Sequence, residues 1–193
     1  MEGVWVRQIP LTTDLKNQSE SPLPILMKNL YGKTTSEILM KYDSLTTTPI
    51  NISELLEKLN ILQIPIDFGQ IEDILEKKDL KTILYKNNEN KYILYYNKNL
   101  SYFALRFFMA YQLSFLCLTQ NVLTSTNWIY VNGNDIINEN EEFALKLLIP
   151  EISLAKAYNK RYLPTTKMLA NFFKVSENMM EKRLRNFHLN IRN

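Results

Sequence analysis

The stretch RFFMAYQLSFL, Arg106–Leu116, sits inside a longer run, Tyr102–Leu118, in which fourteen of 17 residues are apolar. Only Arg106, Gln112 and Ser114 break the pattern. A helix that is apolar on every side belongs either in a protein core or in a membrane. This one is short for a bilayer span and carries an internal arginine, whose charge is costly at that depth. It is therefore expected to be a buried central helix, and the flanking sequence has to supply elements that cover it.

The clearest β signal lies just before it. LKTILYK and KYILYYNK are β-branched and aromatic runs separated by NNEN, the pattern of a hairpin. Two strands alone are marginal in water, so the hairpin needs the central helix to pack against. Further upstream, ILQIPIDF is a short apolar run interrupted by Pro65, an edge strand or an extended connection. Ile71 to Lys77 follows as a helix. Before these, Ser36 to Tyr42 is expected to be helical, and a second helix follows Pro49. Asn51 can cap that second helix, with Glu54 three residues on and Ile52, Leu55, Leu56 and Leu59 as its apolar stripe.

Downstream of the central helix, NWIYVNG is a short strand or a loop with Trp128 packed inward. ENEEFALKLLIP is a helix ended by Pro150, with Phe143, Leu147 and Leu148 at core spacing. Three short helices complete the chain, at Glu151 to Lys160, Thr165 to Phe173 and Glu177 to Phe187.

The bulk properties are consistent with a core of that kind. A chain of 193 residues, 46% hydrophobic and 22% charged, suits one globular domain or one domain with a small appendage. The single cysteine, Cys117, excludes an internal disulfide framework and fits a reducing compartment. Met1 to Pro10 has neither a basic region nor an apolar run, so no signal peptide is expected and the cytoplasm is the expected location. The net charge of +3 says little, but its distribution says more. Lys156, Lys160, Arg161, Lys167, Lys174, Lys182, Arg183, Arg185 and Arg192 face only Glu177 and Glu181, so the C-terminal segment is locally basic. That segment is either a phosphate-facing surface or a solvated helical face.

Several local patterns together resemble the ImmA/IrrE family of metallopeptidase-like proteins, common in bacteria, phages and mobile elements. The similarity covers about Ile38 to Leu189 and rests on ILYYN (Ile93–Asn97), RFFMAYQLSF (Arg106–Phe115), ENEEFALKLLIP (Glu139–Pro150) and LANFFKVSENMMEKRL (Leu169–Leu184). It implies an α+β, zincin-like fold: a small antiparallel sheet packed on a central helix, with a helical C-terminal subdomain. Residues 1–35 are then an N-terminal extension with a linker-like NQSESPLP, 36–150 the metallopeptidase-like domain, and 151–193 the helix-turn-helix-like subdomain.

The departures from the family pattern carry the functional expectation. The family places H-E-x-x-H on the central helix, two histidines for zinc and a glutamate to activate water. Here those places hold Tyr111, Gln112 and Phe115. Phe115 has no lone pair, Gln112 cannot take up a proton at neutral pH, and a neutral tyrosine is a poor zinc ligand. Glu139, at the resembled third-ligand position, is the one remaining candidate, and one carboxylate does not hold a catalytic zinc. His188, the sole histidine, lies in the tail of the last helix and is expected to be an ordinary helix-end residue. Ser114 and Cys117 lack a base and are expected to be small residues where helices pack closely. No catalytic residue, metal or other cofactor is expected.

Two functional expectations follow. The resemblance implies recognition of a protein partner, a helix-turn-helix repressor or another regulator of a phage or mobile element, by a member that binds without cutting. Its candidate contacts are Trp5, Tyr111, Gln112 and Glu139. The alternative is DNA binding through the C-terminal helices. There Ala170 permits a close approach, Val175 marks the bend, Ser176 caps the next helix, and Met180 and Leu184 face in. Lys182, Arg183 and Arg185 would then be left for phosphates. No membrane partner is expected.

Overall fold

The computed structural model describes residues 30–42, 47–76, 78–119, 128–158 and 164–187. Among these, two short helices come first, α1 (Thr35–Lys41) and α2 (Ile52–Lys58). Thr34 and Glu37 make a reciprocal capping box that starts α1 one residue earlier than its apolar pattern suggests. Asn51 Oδ1 accepts from the Glu54 amide at 3.2 Å and starts α2 as its sequence predicts.

Strand β1 (Ile61–Ile66) and helix α3 (Gly69–Leu75) lead into the hairpin of β2 (Leu80–Lys86) and β3 (Tyr92–Asn97). Its loop is closed by Asn87, whose side-chain oxygen accepts from the amides of Glu89 and Lys91. The central helix α4 (Tyr102–Leu118) starts at Ser101, and β4 (Trp128–Asn132) completes a four-stranded sheet in the order β1-β3-β2-β4. Four helices follow: α5 (Asn138–Leu148), α6 (Glu151–Tyr158), α7 (Thr166–Phe173) and α8 (Glu177–Asn186). The α+β class stands, but the expected all-antiparallel sheet becomes a mixed one. β2 pairs antiparallel with β3 and β4, whereas β1 runs parallel to β3. The reason is connectivity: the chain turns back through β2 between them, so β3 regains the direction of β1. Pro65, which has no N–H to donate, lies on this edge strand.

The sheet has two apolar faces. Ile61, Leu84, Tyr92, Leu94 and Val131 pack on the α4 side in the main core. Ile83, Tyr85 and Tyr95 pack on the other side with Phe68 and Ile71 at α3. Every residue of α4 from Arg106 to Ser114 is buried, as its composition requires. Leu154, Leu169, Phe173, Met180 and Leu184 of the last three helices belong to the same core as Tyr111. So does Leu30, and the Gly32 amide donates to the Cys117 carbonyl at 2.8 Å, so the chain has joined the core before residue 35. No helix of the described residues is long and apolar enough to cross a membrane.

One polar side chain fixes how these elements meet. Arg106, 5% exposed, donates from Nη1 to Ile50 O at 2.8 Å, from Nε to Lys174 O at 3.0 Å and from Nη2 to Phe173 O at 3.4 Å. Two of those carbonyls form the C-terminal end of α7, where a helix leaves its acceptors unpaired and its dipole favours a cation. Burial pulls the guanidinium pKa below its ordinary value, while the adjacent Tyr102 works in the opposite direction. Replacing Arg106 by Met keeps the aliphatic stem but strands these acceptors. Chemical denaturation of R106M is expected to show a loss on the order of 3 kcal/mol. A loss under about 0.5 kcal/mol, typical of a surface change, would contradict this role.

Candidate functional site

Two of the positions that the resemblance points to for metal chemistry, Tyr111 and Phe115, lie on the face of α4 turned toward α5. Phe107, Tyr111 and Phe115 are spaced four residues apart, so their side chains share one helix face. Their rings stack in sequence, with centroids 5.8 Å apart for Phe107–Tyr111 and 5.5 Å for Tyr111–Phe115. Such tilted and edge-on pairs add to the burial of the rings themselves. Tyr111 is fully buried, and its hydroxyl accepts from the Ile137 amide at 2.8 Å. Burial raises the Tyr111 pKa against the opposing effect of that bond, and the charges of Glu141 and Asp135 raise it further. It is a neutral hydroxyl with its acceptor side in use.

Gln112, 1% exposed, donates from Nε2 to Ile129 O on β4 at 2.9 Å. Its Oε1 is buried with no hydrogen-bond partner among the described residues. Phe115 is half-buried, and Glu139 is exposed in the first turn of α5, where a carboxylate complements the helix dipole. This set does not fit a zinc ion. One candidate ligand is a phenyl ring, one a phenol already bonded to an amide, and at the position where the resemblance would put a carboxylate stands an amide donating to a strand. Among the described residues no group of three or more His, Cys, Asp and Glu could hold a metal ion. His188 and Trp5 lie outside the described residues. Tyr111 and Gln112 also need correcting as partner contacts: both are sealed inside the core and offer no surface. Of the described candidates, Glu139 remains accessible.

Beneath this face is a short polar chain. Asn140 Nδ2 donates to Ser114 Oγ at 2.6 Å, and Ser114 Oγ donates to Tyr111 O at 2.6 Å. Asn140 carries one mark in the sequence, a polar residue one turn before Phe143 and Ala144 on the buried stripe of α5. Cys117 is buried, and burial pushes its thiol pKa up, away from a reactive thiolate.

The C-terminal helix pair is built largely as its sequence predicts. Ser176 Oγ accepts from the Met179 amide at 3.2 Å, and Ala170, Val175, Met180 and Leu184 are buried. Lys174 takes the left-handed conformation, φ 55°, that ends α7, and Val175 N donates to Ala170 O at 3.0 Å. Arg183 differs from expectation. It is 3% exposed, donates from Nε to Ile149 O at the C-terminal end of α5 at 3.1 Å, and lies over the Phe187 ring. Lys182 pairs with Glu141 at 2.5 Å. Of the three basic side chains expected to meet phosphates, Arg183 turns inward, Lys182 is engaged, and only Arg185 is exposed. An unpaired helix-end carbonyl is a better partner for a buried guanidinium than the local charge pattern reveals.

The family model of the IrrE N-terminal-like domain, a peptidase family, matches residues 59–185 of the 193. That span runs from the end of α2 to within one residue of the end of α8, and so includes the sheet, the aromatic face and both buried arginines. No curated protein matches the chain.

Two measurements check this description. Arg183→Ala is expected to cost about 2 kcal/mol in chemical denaturation, through lost packing and an unpaired carbonyl. Arg185→Ala is expected to stay within about 0.5 kcal/mol of the parent. The Cys117 thiol is expected to resist a thiol-specific reagent at pH 8 in native protein and to react at once in denaturant. Rapid labelling of native protein would contradict its burial.

Proposed function

The chain belongs to the IrrE N-terminal-like family of metallopeptidase-like proteins, and from that premise we propose that it has exchanged proteolysis for binding. It acts as a catalytically inactive relative that recognises a protein partner, a helix-turn-helix repressor or another regulator of a phage or mobile element. The observation that carries this reading is the stack of Phe107, Tyr111 and Phe115, which places aromatic carbon where zinc chemistry needs lone pairs. With Gln112 donating to a strand carbonyl, no group at that position can take a proton from water. What remains for such a scaffold is its outer surface around Glu139, and Trp5 is the further candidate contact.

The test begins with metal content. Purified protein is expected to hold well under one zinc per chain and to leave candidate repressors intact, with or without chelator. Stoichiometric zinc, or cleavage that chelator blocks, would overturn the reading. Binding is then measured with purified products of the neighbouring genes, with nuclease present. Retention of one of them with a micromolar or tighter Kd is the expected result. A mobility shift on DNA from the chain's own locus that weakens steeply with salt and vanishes in Arg185→Ala would instead support the DNA-binding alternative.

A further inference from the structure

The side chains that replace the metal-site residues also have structural work of their own. Tyr111 and Gln112 are adjacent on α4, yet they reach to two points eight residues apart, Ile137 N and Ile129 O. Between those points the chain runs through β4 and then a short strap, residues 133–137, into α5. The strap is fixed at its start as well. Gly133 N donates to Asp79 O at 3.1 Å, and Gly133 lies so close to the Asp79 side chain that a Cβ there would collide with it. Its turn is shaped by Asn132, whose side-chain oxygen accepts from Asn134 N at 3.0 Å and Asp135 N at 2.8 Å.

At its far end the strap enters α5 through Ile137, the N-cap residue. An isoleucine has no side-chain acceptor, so α5 begins without a local cap. The amides of a helix's first turn have no intrahelical partner, and the Tyr111 hydroxyl supplies one from another element. Below the strap, Asn140 and Ser114 join α5 to α4 a second time, and both are buried.

We propose that Tyr111, Gln112, Ser114 and Asn140 form a metal-independent clamp that holds residues 133–137 shut against α4. A zinc ion held from positions 111, 115 and 139 would tie α4 to the start of α5. Here a hydroxyl and an amide make that tie, and the polar floor beneath it is closed to solvent. The clamp is a property of the chain by itself and holds whether or not a partner is bound.

The test is amide hydrogen exchange read residue by residue on the full chain. Tyr111→Phe keeps the ring in the aromatic stack and removes only the hydroxyl. In that variant the Ile137 amide is expected to exchange at least about tenfold faster, while amides of the β2–β3 ladder, such as Leu84, keep their parental rates. Phe115→Leu trims the stack without touching the bond, and Ile137 is expected to keep its protection relative to Leu84. In the parent, excess chelator is expected to change none of these rates. Three results would overturn the proposal: an unchanged Ile137 rate in Tyr111→Phe, equal acceleration of Ile137 and Leu84 in that variant, or loss of Ile137 protection on adding chelator to the parent.

Discussion

The buried stretch of a helix has to find partners for its polar side chains within the protein, because little water reaches them. In Tyr102–Leu118 three such residues besides Tyr111 are each matched to a different part of the chain. Arg106 goes to Ile50 and to the end of α7, Gln112 to Ile129 on β4, and Ser114 receives Asn140 of α5. The apolar residues of α4 make burial favourable without saying which neighbour lies where. The three polar ones restrict that choice, since moving any neighbour by one turn would leave a buried donor or acceptor unpaired, at about 1–3 kcal/mol each. The placement of the C-terminal helices, β4 and α5 around the central helix thus depends on these pairings.

The two buried arginines repeat one device. Taking a guanidinium out of water costs several kcal/mol unless hydrogen bonds compensate it. Neither Arg106 nor Arg183 has a carboxylate in salt-bridge contact among the described residues; each finds carbonyls at the C-terminal end of a helix from elsewhere in the chain. Those carbonyls carry the negative end of the helix dipole and lack partners in their own helix, so both sides of the contact gain. Arg106 thereby holds α7 to α4, and Arg183 holds α8 to α5. The basic count of the C-terminal segment is in part an internal one, which is why its charge alone gives a poor guide to a nucleic-acid surface.

Which features were legible in the sequence follows from how local each one is. The helices, the hairpin at NNEN and the caps at Asn51 and Ser176 depend on residues a few positions apart, and their patterns are visible directly. The parallel pairing of β1 is not local: ILQIPI looks the same whichever strand it joins, and only the path of the chain decides the direction. Arg183 follows Met180 by three residues and precedes the buried Leu184, so it lies at the margin of the apolar stripe. Its inward turn depends on Ile149, 34 residues away. That Tyr111, Gln112 and Phe115 bring no pair of metal-binding side chains to α4 was readable from side-chain identity. Their burial, and the partners Ile137 and Ile129, were not, and so Tyr111 and Gln112 passed for surface when they are core.

Those partners also bear on what a histidine or glutamate would cost at these positions. A histidine at 111 would give up the hydroxyl that accepts from Ile137 and would leave that amide short of a partner. A glutamate at 112 would set a carboxylate oxygen against the Ile129 carbonyl, acceptor facing acceptor, in a place with almost no solvent. Gln112 is held with its amide nitrogen toward Ile129, so the strand carbonyl sets the side chain's orientation. A histidine at 115 would have to disturb the edge-on contact with Tyr111. Each such single substitution therefore loses an existing contact before any metal could compensate, because a zinc site becomes favourable only when several ligands are present together. The present side chains are thus coupled through the shell around them.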